Sequence, residues 1–100
     1  MKTKIMQTLI NHKGKEHAIS SSQIAKELNI PDDATYFTTR RLVKETINEF
    51  GLPIASCANG YYFIVEEDEY NEYMNSLMAR IAGIEKRMSM VRKNYLLSRA

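Results

Sequence analysis

Apolar residues recur at helical spacing in three segments of the first fifty positions. The first helix is predicted over residues 3–12, with an apolar stripe of Ile5, Met6, Leu9 and Ile10. The second follows three serines at 20–22, where a hydroxyl can accept a hydrogen bond from an orphan amide of the first turn. Its buried side is expected to be Ile24, Ala25 and Leu28. Asn29 is expected to end this helix in a left-handed conformation. Pro31 prevents the helix from continuing.

A longer third helix is predicted from Ala34 to Phe50, with Asp32 or Asp33 as its N-cap and Gly51 at its C-terminal end. Its inward side is expected to be Tyr36, Thr39, Val43, Ile47 and Phe50. A rotation of about 100° per residue then assigns the opposite face to Thr38, Arg41, Glu45 and Asn48. The flanks of that face are Thr35, Phe37, Arg40 and Lys44.

Two short apolar runs, 53–57 and 61–65, predict a β-hairpin. The Asn59-Gly60 pair between them favours a type I′ turn, which needs positive φ at both central positions. Cys57 in the first run is expected to be a small buried side chain. Ala18-Ile19, ahead of the second helix, is expected to be a short extended segment.

From Glu66 to the C-terminus the apolar residues follow a heptad pattern. They alternate in steps of four and three along Tyr70, Met74, Leu77, Ile81, Ile84, Met88, Val91 and Tyr95. Acidic residues at 66–69 open the segment and basic residues close it, which matches a helix macrodipole. A helix of about 30 residues reaches on the order of 45 Å, so its distal half needs another chain to cover its stripe. We therefore predict a homodimer through this helix, with parallel and antiparallel orientations both open and a higher-order arrangement also open.

Composition bounds the class of protein. The chain has 100 residues, 44% of them hydrophobic and 26% charged, as expected for one small globular chain rather than a disordered one. Its net charge of +2 does not by itself argue for nucleic acid. A single cysteine, Cys57, excludes an intrachain disulfide and favours a reducing cytoplasm. No apolar run approaches the ~20 residues of a membrane span, and the polar start at Met1–Lys4 is unlike a signal peptide.

No constellation of residues predicts catalysis. The sequence has no glycine-rich phosphate loop and no cysteine–histidine pair at a recognised spacing, so we expect no enzyme and no cofactor. His12 and His17 lack a third ligand, so no metal site is expected. The lysines near the N-terminus are either a source of non-specific attraction to a nucleic-acid backbone or an ordinary solvated face.

Three blocks of sequence carry a resemblance to a known family. They are Ile24-Ala25-Lys26-Glu27-Leu28-Asn29-Ile30, Arg41 to Glu49, and Gly51-Leu52-Pro53-Ile54-Ala55-Ser56 followed by Gly60-Tyr61-Tyr62-Phe63. The segment from Ser20 to Phe63 resembles the winged helix-turn-helix of small phage and mobile-element proteins, and is similar to the DNA-binding domain of biotin-protein-ligase repressors. The resemblance implies a mostly α fold with a small β-hairpin, in which residues 1–65 form a winged helix-turn-helix domain. Residues 66–100 would then be the oligomerisation helix.

The resemblance implies binding to double-stranded DNA, in transcription or in phage replication control. The third helix would enter the major groove, with contacts from Thr35, Thr38, Arg40, Arg41 and Lys44. The family pattern often has arginine where Lys44 stands, and lysine keeps the charge without the bidentate fork. The uncharged wing at Asn59 and Gly60 is expected to close the hairpin or to offer a backbone contact.

A second hypothesis belongs to a different class. Acidic residues outnumber basic ones between positions 31 and 51, and a further acidic run begins at Glu66. Such a surface would repel phosphate and favours a protein-interaction module instead. In a phage context that module would inhibit a host protein or nuclease, as an anti-CRISPR protein or an antirepressor does.

Overall fold

The structure, a computed structural model, describes all residues from Met1 to Ala100. Contacts divide the chain into two compact units, Met1–Tyr70 and Asn71–Ala100. The elements are α1 (Lys2–Asn11), a 3₁₀ turn (Lys15–His17), α2 (Ser21–Glu27), α3 (Phe37–Phe50), β1 (Ile54–Cys57), β2 (Gly60–Phe63) and α4 (Glu67–Ser98). The chain is therefore mostly helical, with one small antiparallel hairpin and a long C-terminal helix, which confirms the coarse fold class expected from the sequence.

The core of the first unit lies where α1 and α2 pack against α3. It consists of Ile5, Leu9, Ile19, Ile24, Ala25, Ile30 and Val43, all buried. Five of these residues lie in helices, which present their apolar stripes to one another, and Ile19 and Ile30 lie in the segments on either side of α2. Each fully buried Leu, Ile or Val side chain contributes about 1.5–3 kcal/mol of transfer free energy. The apolar stripes predicted for α1 and α2 are confirmed at Ile5, Leu9 and Ile24.

The ends of α2 follow the predicted chemistry. Ser20 is the N-cap, and its hydroxyl accepts a hydrogen bond from the Gln23 amide at 3.2 Å. The Gln23 side chain accepts in return from the Ser20 amide at 2.9 Å, which completes a capping box. Beyond the helix, Asn29 has φ +54° in the left-handed region. Both ends are therefore fixed by local sequence.

The start of α3 differs from the prediction. The helix begins at Phe37 and not at Ala34, and its N-cap position is Tyr36, which has φ +55°. The reason lies in the preceding loop, where Thr35 donates both its amide and its hydroxyl to Asp33, at 2.9 and 2.6 Å. These bonds hold the backbone in a turn in place of a first helical turn.

The inward side of α3 also differs in part. Thr39 and Val43 are buried as predicted, but Phe50 is 40% exposed and Thr46 is buried in its place. The Thr46 hydroxyl donates to the Leu42 carbonyl at 2.7 Å, so this polar side chain is satisfied inside the core.

The hairpin turn was predicted wrongly by one residue. Cys57 pairs with Gly60, so the two loop residues are Ala58 and Asn59, and neither has positive φ. A type I′ turn is therefore absent. Gly60 instead belongs to β2, with φ +121°. Its position is set by Ile19, whose amide and carbonyl both bond to the backbone of Tyr61 at 2.8 Å. The extended segment predicted at Ile19 is thus confirmed as a third strand position beside the hairpin.

The beginning of α4 is held within the first unit by Glu69. Its carboxylate accepts hydrogen bonds from the amides of Lys15 at 2.8 Å, Val65 at 3.1 Å and Glu66 at 3.2 Å. These amides, that of Lys15 above all, lower the pKa of Glu69 below its ordinary value. The predicted acidic helix start is confirmed, and one of its acids also acts as an anchor.

Along its length α4 has no buried residue. Its 32 residues correspond to about 48 Å of helix. The eight residues of the predicted heptad pattern, from Tyr70 to Tyr95, form a seam along one side of α4. Seven of them are between 38% and 58% exposed, and Leu77 is half-buried. The continuous helix is therefore confirmed, and the pairing of two such helices stays a prediction. None of the helices combines the length and hydropathy that a membrane span requires.

We predict that Gly60→Ala destabilises the first unit far more than Gly51→Ala does. A Cβ on Gly60 would lie 2.1 Å from the Ile19 carbonyl oxygen, whereas a Cβ on Gly51 meets no atom within 4 Å. Both glycines have positive φ, but Gly51 at +63° lies in the left-handed helical region that other residues also adopt, so Gly51→Ala is the control for the milder strain without a close contact. In urea unfolding we expect a loss of more than about 2 kcal/mol for Gly60→Ala and about 1 kcal/mol for Gly51→Ala. Equal losses would contradict the close approach of Ile19.

Candidate functional site

One face of α3 carries most of the candidate site. Burial of Thr39, Val43 and Thr46 fixes the rotation of the helix. At about 100° per residue, the exposed residues on the opposite side are Phe37, Arg40, Arg41, Lys44 and Asn48. Thr38 and Glu45, which the sequence assigned to this face, are half-buried on one flank.

The charges of α3 are separated across this face. Glu45 bonds to Arg41 at 3.1 Å and lies 3.6 Å from the Lys2 ammonium of α1. Glu49 lies 3.2 Å from the same ammonium, and its hydrogen bond raises the pKa of Lys2. The negative charges of Glu45 and Glu49, which would repel DNA, are therefore partly neutralised on the flank of α3 that faces α1.

Arg40 and Lys44 occupy the other flank and form no ion pair. Both side chains are exposed, and they lie four residues apart on one side of the helix. No carboxylate within ion-pair distance offsets their charge, so it remains available to an anionic partner. Arg41 is different, because its Nη1 donates to Glu45, which offsets part of its charge.

A cleft of about 480 Å³ lies beside Arg40. It joins the start of α2, the loop before α3 and the hairpin, and four serines and two tyrosines are among its lining residues. Its lining residues are Ser20, Ser21, Ser22, Ala34, Tyr36, Arg40, Ser56, Cys57, Ala58, Gly60 and Tyr61. Across it, Ser21 donates a long hydrogen bond of 3.4 Å to the Tyr61 hydroxyl. A single arginine among hydroxyl donors is suited to contacts with phosphate oxygens.

Sequence reasoning missed Ser21, Ser56 and Tyr61 as parts of this site. The serines at 20–22 were assigned only to helix capping, although the same hydroxyls line the cleft. Their proximity to Tyr61 depends on the backbone bridge between Ile19 and Tyr61, a contact over long sequence separation. No local signal in the sequence reports such a contact.

The remaining predicted DNA-binding residues are engaged elsewhere. Thr35 lies in the loop before α3, and its hydroxyl donates to Asp33 at 2.6 Å. That hydroxyl and the Thr35 amide lower the pKa of Asp33, which keeps a carboxylate ionised beside them. Thr38 is half-buried, and its amide donates to Asp32 at 3.3 Å. In the hairpin predicted as a wing, Asn59 is exposed, while the backbone of Gly60 is covered by Ile19.

The two histidines and the cysteine lie apart from this chemistry or at its edge. His12 forms a hydrogen bond of 2.8 Å with the carbonyl of His17. Cys57 is a free, half-buried thiol in the cleft lining, less covered than the sequence suggested. No three side chains of His, Cys, Asp or Glu come together as a metal site would require.

Asp32 connects the loop to α3. Its carboxylate accepts hydrogen bonds from the amides of Thr39 at 2.7 Å and Thr38 at 3.3 Å. Partial desolvation acts to raise its pKa, but the bonds from Thr39 and Thr38 outweigh this effect and lower the pKa below its ordinary value. The capping role predicted for Asp32 is therefore present, although the residue stands outside the N-cap position.

Comparison with known proteins adds no family. The chain matches no protein-family model, and no curated protein or solved structure is significantly similar to it. The resemblance to winged helix-turn-helix proteins therefore rests on the residues quoted above and stays a prediction. The function has to be argued from the chemistry of α3, the cleft and α4.

We predict that Asp32→Ala lowers the melting temperature at neutral pH, because two amides of the first turn of α3 lose their acceptor. The folded-state pKa of Asp32 is depressed, so its contribution is present above its ordinary value of 3.8 and is lost as pH falls through the lower folded value. The melting-temperature difference from the unmodified chain should therefore shrink between about pH 6 and about pH 3. Glu27→Ala, an exposed acid on α2, is the control. An Asp32→Ala difference that is independent of pH would contradict this role.

Proposed function

We propose that the chain is a dimeric winged helix-turn-helix protein that binds DNA and regulates transcription or replication of a phage or mobile element. In this proposal α2 and α3 form the helix-turn-helix, β1 and β2 form the wing, and α4 pairs two subunits. The observation that carries it is the exposed face of α3, where Arg40 and Lys44 have no ion-pair partner beside a cleft of hydroxyl groups.

The proposed mechanism places α3 in the major groove. That groove is about 12 Å wide and admits one α-helix. Arg41 and Lys44 near the middle of the helix would approach base edges, where an arginine can bond to the O6 and N7 atoms of guanine. Arg40 and the hydroxyls of Ser21 and Tyr61 would contact phosphate oxygens along the groove edge. Phosphate contacts set the register, and base contacts supply the sequence preference.

The exposed stripe of α4 supports the proposed self-association. The apolar side chains of a fully exposed helix stabilise it only when another surface covers them. A second copy of the same helix supplies such a surface with matching heptad spacing. Two subunits would then present two copies of α3 to two half-sites, and together they would bind more tightly than either alone.

One observation favours the second candidate, a protein-interaction module. Phe37 lies on the same face of α3 as Arg40 and Lys44 and is 67% exposed. An exposed aromatic ring beside an arginine is typical of the centre of a protein–protein interface. The same ring would also contact a thymine methyl group in the major groove. The effect of Phe37→Ala separates the two candidates, since a protein target would lose most of its affinity and DNA only part.

The DNA hypothesis is tested by gel shift with DNA that flanks the protein's own gene. Each lost arginine or lysine contact with DNA costs about 1–3 kcal/mol, so the Arg40→Ala/Lys44→Ala double variant should bind at least about ten-fold more weakly. Its salt dependence should also fall, because log K loses about 0.9 of slope for each phosphate contact removed. Lys4→Ala/Lys26→Ala, which removes two exposed lysines elsewhere, is the matched control.

Two results would contradict DNA binding. One is the absence of any shift at about 50 mM salt, where electrostatic affinity is high. The other is equal weakening by the double variant and by its control, since that would indicate attraction by net charge alone. Capture of a specific host protein that depends on Phe37 would favour the second candidate instead.

A further inference from the structure

The order of side chains in the α4 seam is nearly the same from either end. It runs Tyr70, Met74, Leu77, Ile81, Ile84, Met88, Val91, Tyr95. Aromatic residues stand at both ends, two isoleucines stand in the middle, and between them lie residues of similar size. When the sequence is reversed against itself, every seam residue meets an apolar side chain of its own class or a near equivalent.

The charges of α4 are divided between its two halves. Residues 66–79 contain five acids and no base, a net charge of −5. Residues 80–100 contain six bases and one acid, Glu85, which gives six minus one, or +5. Two parallel copies would bring like charge against like along the whole pair. Two antiparallel copies bring each acidic half against a basic half.

We propose that two copies of this chain associate through α4 in antiparallel orientation, with Tyr70 level with the partner's Tyr95. In this register Met74 faces the partner's Val91, Leu77 faces the partner's Met88, and Ile81 faces the partner's Ile84. The inference rests on the self-association part of the proposed function and does not depend on DNA binding. All these seam side chains are exposed or half-buried in the single chain, so they are free to make the contact.

Seam chemistry opposes the parallel alternative. Parallel two-stranded coiled coils favour β-branched residues at position a and leucine at d. Here methionine occupies position a at Met74 and Met88, and β-branched residues occupy d at Ile84 and Val91. An antiparallel pair removes this conflict, because each layer combines one a residue with one d residue.

The heptad position that precedes Tyr70 also favours the antiparallel orientation. Glu67 stands one heptad before Met74, so a parallel pair would set it against its own copy. The antiparallel register sets it against the partner's Ser98, next to the partner's Arg99. One flanking pair acts against this register, because Arg80 lies beside the partner's Arg87. The opposite net charges of the two facing halves, −5 and +5, outweigh this single repulsion.

The register also fixes a distance that matters for DNA. Tyr70 is the last residue of the first unit. Because it lies level with the partner's Tyr95, the two copies of Tyr70 are separated by roughly 37 Å along the helix pair. One turn of DNA separates half-sites by about 34–36 Å. An antiparallel pair therefore attaches the two first units at a spacing close to one DNA turn.

Disulfide cross-linking tests the orientation. In a Cys57→Ser background, which removes the one native cysteine, Met74→Cys and Val91→Cys chains of different length are co-expressed and oxidised. The antiparallel register predicts a mixed Met74→Cys–Val91→Cys product and at least ten-fold less of either self-linked product. Asn75→Cys, which faces away from the seam, replaces Met74→Cys in the control and should give little product. Self-linked Met74→Cys and Val91→Cys dimers would overturn the proposal in favour of a parallel pair.

Salt dependence gives a second test on the unmodified chain. Sedimentation equilibrium should give a dimer dissociation constant that rises several-fold between about 50 and 300 mM NaCl, because salt screens attraction between opposite charges. A parallel pair would show the reverse, since salt would screen repulsion. A dimer that tightens with salt, or a monomer at all concentrations, would overturn the proposal. Gel shift on the same samples reports DNA binding separately, so a failure of the DNA hypothesis remains distinguishable.

Discussion

The placement of the hairpin beside α2 depends on one backbone contact, the pair of hydrogen bonds between Ile19 and Tyr61. Each is 2.8 Å long, and together they attach the hairpin to the segment that leads into α2. The contact exists because Gly60 has no side chain, and any Cβ there would occupy the space of the Ile19 carbonyl. A two-stranded hairpin alone is marginally stable in water. A second contact supports it, because the Phe63 amide donates to the His12 carbonyl at 2.8 Å and the Phe63 carbonyl accepts from the Gly14 amide at 2.9 Å. The cleft beside Arg40 also depends on the contact between Ile19 and Tyr61, because the cleft walls come from α2, the α3 loop and the hairpin.

The sequence predicts best those structural features that depend on residues close together in the chain. The capping box at Ser20, the left-handed Asn29 and the end of α3 at Gly51 each depend on residues a few positions apart. The heptad seam is of the same kind, because one helix needs only its own periodicity. These features are present where expected.

What the sequence predicts poorly depends on competition between local bonds and distant ones. The helix α3 begins later than predicted because Asp33 accepts a hydrogen bond from Thr35 and holds the backbone in a turn. Asp32 instead accepts hydrogen bonds from amides six and seven residues further along the chain. The hairpin turn lies one residue earlier than predicted, because Gly60 is needed in β2 beside Ile19 and therefore does not lie in the loop. For the candidate site, Arg40, Arg41 and Lys44 follow from helix geometry, whereas the cleft hydroxyls do not. The pairing of Lys2 with Glu45 and Glu49 also needed the packing of α1 on α3.

The two units provide complementary parts of the proposed activity. In the proposed complex a single α3 with two unpaired cations, beside an uncharged hairpin loop, would make few phosphate contacts, and affinity for DNA scales with their number. Joining two copies makes the second contact intramolecular, so its effective concentration depends on the spacing of the two units. An antiparallel α4 pair fixes that spacing through the length of its seam. Charge that is divided evenly along α4 then serves orientation and not DNA binding, because the −5 and +5 halves neutralise each other within the pair. The modest net charge of the whole chain is therefore compatible with a DNA-binding protein that presents two unpaired cations on α3.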